Sequence, residues 1–480
     1  MYTIYNCQFC VGPTPFIIDS SWKYMDVGDG QVLSYHNKTK IQYKSRRFVV
    51  IGLVEEGDES RKRVSELNDS DIDFNFVRRL TDTWVGRWII ISNGKIILDS
   101  WGSIGIYFLK NVDQIEEKWF FSSCSLLCKK FGLQLQADKL GKDLMTDEKT
   151  LLPYINLTPM EFLDINTGIR YPLCQPIFLK FDNMNATLAA KRIVSLISTA
   201  INRLDDPLIH WHLPLTGGRD SRLSGIALKK GCVSFSSFTF KKPWYGTSYV
   251  DKFLPKKIAK IFNIKHSTLD ASYINSKAEI LQDLKIHLGS TDVKDESPGS
   301  IGYYFSRGHW LKVGVNGVLV TSLYYDLIEG TYANFNRDLS WLKLNGYSVD
   351  KHSLNLRLKI LDNAFWGFED NELNEKGAIY WCLRQKALAI AMTALEYSGN
   401  IVFAPGVCAE ISSLGLSCDR NEIISNSIHV EAMKLYSEKL SSVPFDCYWD
   451  EPQKYFSYIK RGCPGLIKRI LSKFLLVLKN

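Results

Sequence analysis

The period of hydrophobic and polar positions changes once along this chain. Up to about residue 180 the apolar residues fall in short runs, at 48–54, 84–91, 95–98, 104–109 and 119–123. Turn signals separate them, among them Ser92, Asn93 and Gly94, then Trp101 and Gly102, and the stretch 111–113. Short, closely spaced runs of this kind predict β-strands gathered into a sandwich. The stretch 147–168, which carries Pro153 and Pro159, reads as an irregular connection. Beyond Asn185 the spacing becomes helical, with Ala189, Ile193, Leu196, Ile197, Ala200, Ile201 and Leu204 on one face. Strand-like segments at 209–215, 233–240 and 310–315 then alternate with helical ones at 221–230 and 250–262, and later helices are predicted at 377–397 and 421–440. Alternation of this type predicts a parallel α/β sheet. The tail 466–478 places Leu466, Ile470, Leu471, Phe474 and Leu478 on one stripe, which predicts a docked amphipathic helix, with a membrane-surface or partner helix as the alternative. The expected architecture is a β-rich domain over 1–180 followed by an α/β domain over 181–480.

Composition narrows the class without naming it. A chain of 480 residues with 45% hydrophobic and 23% charged side chains can bury ordinary globular cores. The net charge of +8, from 59 basic and 51 acidic side chains, permits an anionic ligand and does not demand nucleic acid. Eleven cysteines follow no framework spacing. Cys7 and Cys10 form a CxxC without a second pair, so the thiols read as buried and free in a reducing cytosol. The first residues lack a basic start, and no apolar stretch reaches the ~18 residues of a membrane span. A cytoplasmic protein is therefore expected. The eight histidines include no HExxH pattern, which argues against a catalytic zinc. His210 and His212 flank Trp211 and read as packing residues.

The candidate chemistry lies in TGGRDS, residues 216–221, between an expected strand and an expected helix. Ligands of parallel α/β sheets sit at the carboxyl ends of strands. Gly217 and Gly218 allow a close backbone approach and positive φ. A helix starting near Ser221 offers N–H groups to an anion. Thr216 and Ser221 supply hydroxyls, and Asp220 can hold magnesium, which binds oxygen ligands and usually phosphate as well. The chain lacks GxxxxGK[ST] and a GxGxxG after a strand, which excludes two common phosphate loops. The plain alternative is a capped Gly-Gly turn. The full strand, TGGxDS and helix pattern predicts ATP binding instead.

This loop is similar to the SGGxDS pyrophosphate loop of the asparagine synthetase family, which includes β-lactam synthetases and lasso-peptide cyclases. Residues 237–240 with Asp251 and 258–263 resemble that family's second strand and following helix. Residues 310–317 resemble the strand and glycine turn that face the loop, and 403–405 resemble a later Pro-Phe segment. Upstream, 86–89, 98–102, 106–108 and 121–123 resemble its glutaminase-like domain. The resemblance implies an Ntn-type sandwich domain and a PP-loop ATP pyrophosphatase domain. It implies ATP and Mg2+ as cofactors and an AMP-forming reaction that joins a carboxylate to an amine. Thr216, Gly217, Gly218, Arg219, Asp220, Ser221, Phe238, Gly314, Asn316 and Gly317 would then face the nucleotide, with Asp220 as metal ligand. Asp220 and Arg222 would be the catalytic pair. Arg222 would reach a phosphate or a substrate carboxylate, or pair with a nearby acid. Glu396 matches a family acid with shifted spacing, or else ends a helix. Lys454, Lys460 and Arg461 lie where a late basic residue stands in the family.

Two departures from the family pattern shape the expectation. Family glutaminase domains use a cysteine at residue 2, where this chain has Tyr2. Glutamine hydrolysis is therefore not expected, and nitrogen would come from ammonia or an amine. Val318 and Leu319 stand where an acid is expected in the facing turn, and Asp326 and Glu329 lie further on. Two readings follow: an amide ligase acting on a small-molecule or peptide carboxylate, and a degenerate nucleotide-binding member without turnover. A third, tRNA thiolation, would want a cysteine near the loop, where only Cys232 is found, and a strongly basic face. Nucleic acid is not an expected partner, and a homo-oligomer is compatible with the chain.

Overall fold

The computed structural model describes residues 8–45, 47–109, 117–133, 154–173, 175–204, 206, 209–240, 253–269, 317–328, 392, 395–396 and 400–445. Two six-stranded antiparallel sheets share one core. In spatial order the first runs Tyr154–Asn156, Tyr107–Leu109, Phe120–Phe121, Phe9–Gly12, Gln31–His36, Trp22–Gly28. The second runs Arg170–Pro172, Glu161–Asp164, Lys95–Leu98, Ile89–Ser92, Phe48–Ile51, Ile41–Ser45. Phe9, Val11, Leu33 and Phe108 of one sheet meet Val49, Ile89, Ile91 and Leu98 of the other. The opposite face of the second sheet is also covered, with Phe48, Val50, Ile90 and Ile97 packed beneath Val64, Val77 and Trp88. Burial on both faces is why these strands read as continuous apolar runs rather than as alternation. Helix Cys124–Phe131 covers the outer face of the first sheet, with the Ser123 hydroxyl accepting from the Leu126 N–H at 3.3 Å. The turn expected at Asn93 and Gly94 joins two strands in the Ser92–Lys95 register, with φ of 47° and 68°. That is the left-handed pair a two-residue hairpin requires.

Two runs expected as single strands are each broken by a glycine. Gly52 divides 48–54 and Gly86 divides 84–91, at φ of 121° and 118°. The outer pieces, Val54–Glu56 and Trp84–Gly86, pair with each other in a separate small sheet. This sheet leaves the sandwich and packs on helix Ala186–Leu204, where Val85 joins the helix core. A Cβ at Gly86 would lie 2.2 Å from the Leu53 carbonyl oxygen, at a φ that L-residues avoid. Gly86→Ala should therefore lower unfolding free energy by at least about 2 kcal/mol, read from urea unfolding of the full chain.

The second layer is a five-stranded, wholly parallel sheet. Its order is His266–Leu269, Phe235–Phe240, His210–Pro214, Gly317–Val320, Ile401–Phe403. Helices Ala186–Leu204, Asp220–Lys230 and Leu254–Phe262 contribute Ile193, Ile197, Leu223, Ile226 and Ile258 to one core with Trp211 and Leu213 of the central strand. The helix expected at 421–440 is three: Arg420–Ile424, Ser427–Tyr436 and Glu438–Ser441. Asn426 at φ 58° and the extended Ser437 interrupt it, and asparagine tolerates the left-handed region better than most residues. The expected strand at 310–315 and tail helix at 466–478 lie outside the described residues, as does nearly all of 377–397. Among the described residues no helix is long and apolar enough to cross a membrane.

The two layers meet along a polar seam. Arg192 lies 2.7 Å from Asp58 and 2.6 Å from Glu410. Arg203 donates to the carbonyls of Glu56 and Asp58, and Arg87 pairs with Glu396 in a largely buried contact. Glu396 thus binds the antiparallel layer, and burial pushes its carboxyl up while Arg87 opposes the shift. Burial pushes the Glu56 carboxyl up to about 7, against the opposing bonds from Thr83 and the Asp58 N–H. The folded protein then keeps a proton on Glu56 that the unfolded chain has already released. Stability should fall as pH rises from the ordinary carboxylate range to about 7, and then level off. Glu56→Gln should erase that slope and raise stability at pH 8 by about 2 kcal/mol while leaving pH 4 unchanged, measured by urea midpoints.

Candidate functional site

The site is assembled at the carboxyl edge of the parallel sheet. Strand His210–Pro214 is central, paired with Phe235–Phe240 on one side and Gly317–Val320 on the other. Along it Trp211 and Leu213 are buried, and the Trp211 ring meets Phe403 edge-on at 5.7 Å. The chain passes from this strand through helix Asp220–Lys230 to one neighbour, while the other neighbour arrives from much later in sequence. The central strand is thus a topological switch point, where open parallel sheets bind ligands. Two bonds hold the strand end to its neighbour. The Leu215 N–H donates to the Phe238 carbonyl at 2.9 Å, and the Thr239 hydroxyl donates to the Leu215 carbonyl. Phe238 itself is buried beside the loop.

Residues 216–221 form a closed turn. The Thr216 N–H donates to the Ser221 hydroxyl at 3.2 Å, and the two hydroxyls are also 3.2 Å apart. The Gly218 N–H donates to the Thr216 hydroxyl at 3.1 Å. Thr216 is exposed, Gly218, Arg219 and Asp220 are half-buried, and Gly217 and Ser221 are buried. The expectation of positive φ at the glycines is not met, since Gly217 and Gly218 are not among the left-handed glycines. The threonine and serine hydroxyls turn the chain without it.

Helix Asp220–Lys230 begins at Asp220, one residue before the expected start, and places that acid in its first turn. An acidic side chain there complements the helix dipole. The Asp220 side chain is 34% exposed, and one carboxylate oxygen lies 2.9 Å from Nε2 of His429, whose side chain is fully buried. His429 comes from helix Ser427–Tyr436, far along the chain. Its ring stands edge-on to Tyr325, whose hydroxyl is 3.2 Å from Ser224 in the loop helix. The Ser322 hydroxyl donates to Ser224 at 3.1 Å. Burial pushes the Tyr325 phenol well above its ordinary range.

Arg222 departs from the expectation of a phosphate-facing or catalytic group. It is fully buried, and its guanidinium donates to three main-chain carbonyls: Gly217 at 2.8 Å, Val443 at 2.6 Å and Pro444 at 2.5 Å. Phe445 stacks beneath it, 4.7 Å from ring centroid to guanidinium carbon. Arg222 therefore ties the loop to the segment after the C-terminal helices.

The facing turn also differs from expectation. Gly317 pairs with His210 at the amino end of the central strand. At ~3.3 Å per residue, that end lies about 20 Å from Thr216. Gly314 and Asn316 lie outside the described residues. Val318 and Leu319 are buried strand positions paired with Trp211 and His212. Their apolar character belongs to the sheet core and says nothing about a metal ligand. The turn beside the loop is instead 321–325, where Tyr324 has φ 71° and its ring meets Trp101 of the sandwich at 5.4 Å. The first acid after this turn, Asp326, opens the short helix Asp326–Ile328. Glu329, Lys454, Lys460, Arg461 and Tyr2 lie outside the described residues.

Among the described residues, no three His, Cys, Asp or Glu side chains converge to hold a metal by themselves. The donor set at the loop, a half-exposed Asp220 among hydroxyls, suits an ion whose remaining ligands are phosphate oxygens and water, the usual manner of magnesium. Sequence reasoning missed His429, Tyr325, Ser224 and Ser322, because only the packing of distant segments joins them to the loop. No family model matches the chain, and no curated protein matches it at a significant level.

Proposed function

We propose that this chain is an ATP-dependent, AMP-forming amide ligase of the asparagine synthetase type, with a PP-loop domain, an Ntn-like sandwich and no glutaminase activity. The observation that carries the reading is the position of the TGGRDS loop. It leaves the central parallel strand at the switch point, and Asp220 stands half-exposed in the first turn of the helix that follows.

In this reading, a substrate carboxylate oxygen bonds to the α-phosphorus of ATP as the bond to pyrophosphate breaks. An amine or ammonia then bonds to the acyl carbon, AMP leaves, and the nitrogen gives up a proton. Magnesium, when bound, would neutralise charge on the departing pyrophosphate. Thr216, Gly218 and the start of helix Asp220–Lys230 would supply donors to the same charge, held in place beforehand. Asp220 would hold the metal, and Arg222 would act from beneath by fixing Gly217. The nitrogen source would be ammonia or a small amine, and the acid a small metabolite, sugar acid or peptide.

The alternative is a degenerate nucleotide-binding member without turnover: Val318 and Leu319 are strand-core positions, and the turn at 321–325 carries no acid of its own. Purified full-length protein should bind ATP in the presence of Mg2+ and release pyrophosphate when incubated with a panel of carboxylates and ammonia. Absence of magnesium-dependent ATP binding would overturn the reading.

A further inference from the structure

A metal-holding carboxylate must be aimed, because magnesium accepts only near-octahedral geometry at ~2.0–2.1 Å. Asp220 has a short side chain that is 34% exposed. His429 reaches it from outside the loop. Its Nε2 stands 2.9 Å from an Asp220 carboxylate oxygen, and its side chain has no exposure at all. The imidazole is in turn fixed by its surroundings. The Tyr325 ring meets it edge-on, with centroids 6.5 Å apart, and the Tyr325 hydroxyl reaches Ser224, one helical turn beyond Asp220. Ser322, from the turn beside the loop, donates to the same Ser224 hydroxyl.

A second contact from the same helix points the same way. Met433 lies one turn after His429, and its sulfur is 3.9 Å from the Arg222 guanidinium. One face of helix Ser427–Tyr436 thus touches both Asp220 and Arg222, and so sets the register of the loop helix against the rest of the fold. A fully buried polar ring placed on the one half-exposed acid of the loop is costly to maintain as mere filling. A leucine of similar volume would pack without that cost.

We propose that His429 is a positioning residue that aims Asp220 at the magnesium ion of the nucleotide complex. The proposal rests on the reading of the loop as an ATP site. Outer-shell partners of this kind typically contribute ~10–100-fold to metal affinity.

The test uses three variants of the full chain. His429→Leu keeps volume and removes the contact. His429→Gln can place a side-chain N–H near the position of Nε2, whereas His429→Asn is too short to do so. ATP binding is measured by calorimetry across graded Mg2+, and again in EDTA, with thermal unfolding recorded for each protein. The expected result is that Leu and Asn raise the half-saturating Mg2+ concentration by ~10–100-fold, that Gln restores it to within a few-fold, and that binding in EDTA is the same in all four proteins. If Leu does not fold, the Gln and Asn pair gives the same answer. Equal magnesium dependence in Gln, Asn and the unmodified protein would overturn the role of His429 while leaving the ATP site standing. Failure of the unmodified protein to bind ATP with Mg2+ would overturn both.

Discussion

Asp220→Ala is expected to cut magnesium-dependent pyrophosphate release by at least about 100-fold, equivalent to ~3 kcal/mol of transition-state stabilisation. Asp220 is the acid that the loop itself carries, it stands in the first turn of the helix, and its side chain is 34% exposed. In the proposed site its removal would take away a direct metal ligand, together with a negative charge that complements the helix end. Its loss opens no core cavity, and the change in fold stability should be that of the lost contact with buried His429, ~1–3 kcal/mol. Asp220→Asn sharpens the test, because it preserves shape and loses only charge. Both variants should bind ATP in EDTA as the unmodified protein does and differ from it once Mg2+ is added. Undiminished pyrophosphate release in either variant would remove Asp220 from the proposed chemistry.

Arg222→Leu is expected to have the opposite signature, a large loss of stability of about 3–5 kcal/mol. The side chain is fully buried and its guanidinium serves the carbonyls of Gly217, Val443 and Pro444. Leucine fills part of the space and satisfies none of these acceptors, and each buried carbonyl left without a donor costs ~1–3 kcal/mol. Lysine keeps the charge but cannot reproduce the planar fork, so Arg222→Lys should fall between the two. Urea unfolding of the full chain reads the effect directly. The same substitution frees Gly217 from its anchor, and nucleotide affinity should weaken in proportion to that loss of order. An Arg222→Leu protein of unchanged stability would contradict the carbonyl-clamp geometry.

The two residues show how differently the site could be read from the sequence. Asp220 was legible because loop, helix start and acid are neighbours in the chain, and local spacing places the carboxylate. Arg222 has equally local spacing, but its direction is decided by partners at 443–445. A side chain two residues further along a helix points to another face, toward the interior here. The facing turn was misplaced for a related reason. The glycines at 314 and 317 look like a turn, but strand pairing puts Gly317 at the far end of the sheet and makes Val318 and Leu319 core residues. Register of that kind depends on a neighbour far away in sequence.

The breaks at Gly52 and Gly86 follow the same rule. Each run was recognisable as extended and apolar. Whether it forms one strand or two depended on the helix Ala186–Leu204, against which the small sheet packs.

By itself, then, the amino-acid order determined the change from closely spaced strands to alternating strands and helices, the loop at 216–221 between strand and helix, and the acid within it. These are written in periods and spacings of a few residues, the range over which the backbone geometry of helix and strand couples side chains. The tertiary structure alone decided which turn faces the loop, which basic group is a clamp, and that a buried histidine stands behind Asp220. Those contacts join segments far apart in the chain, and they exist only once the sheet and its helices have packed.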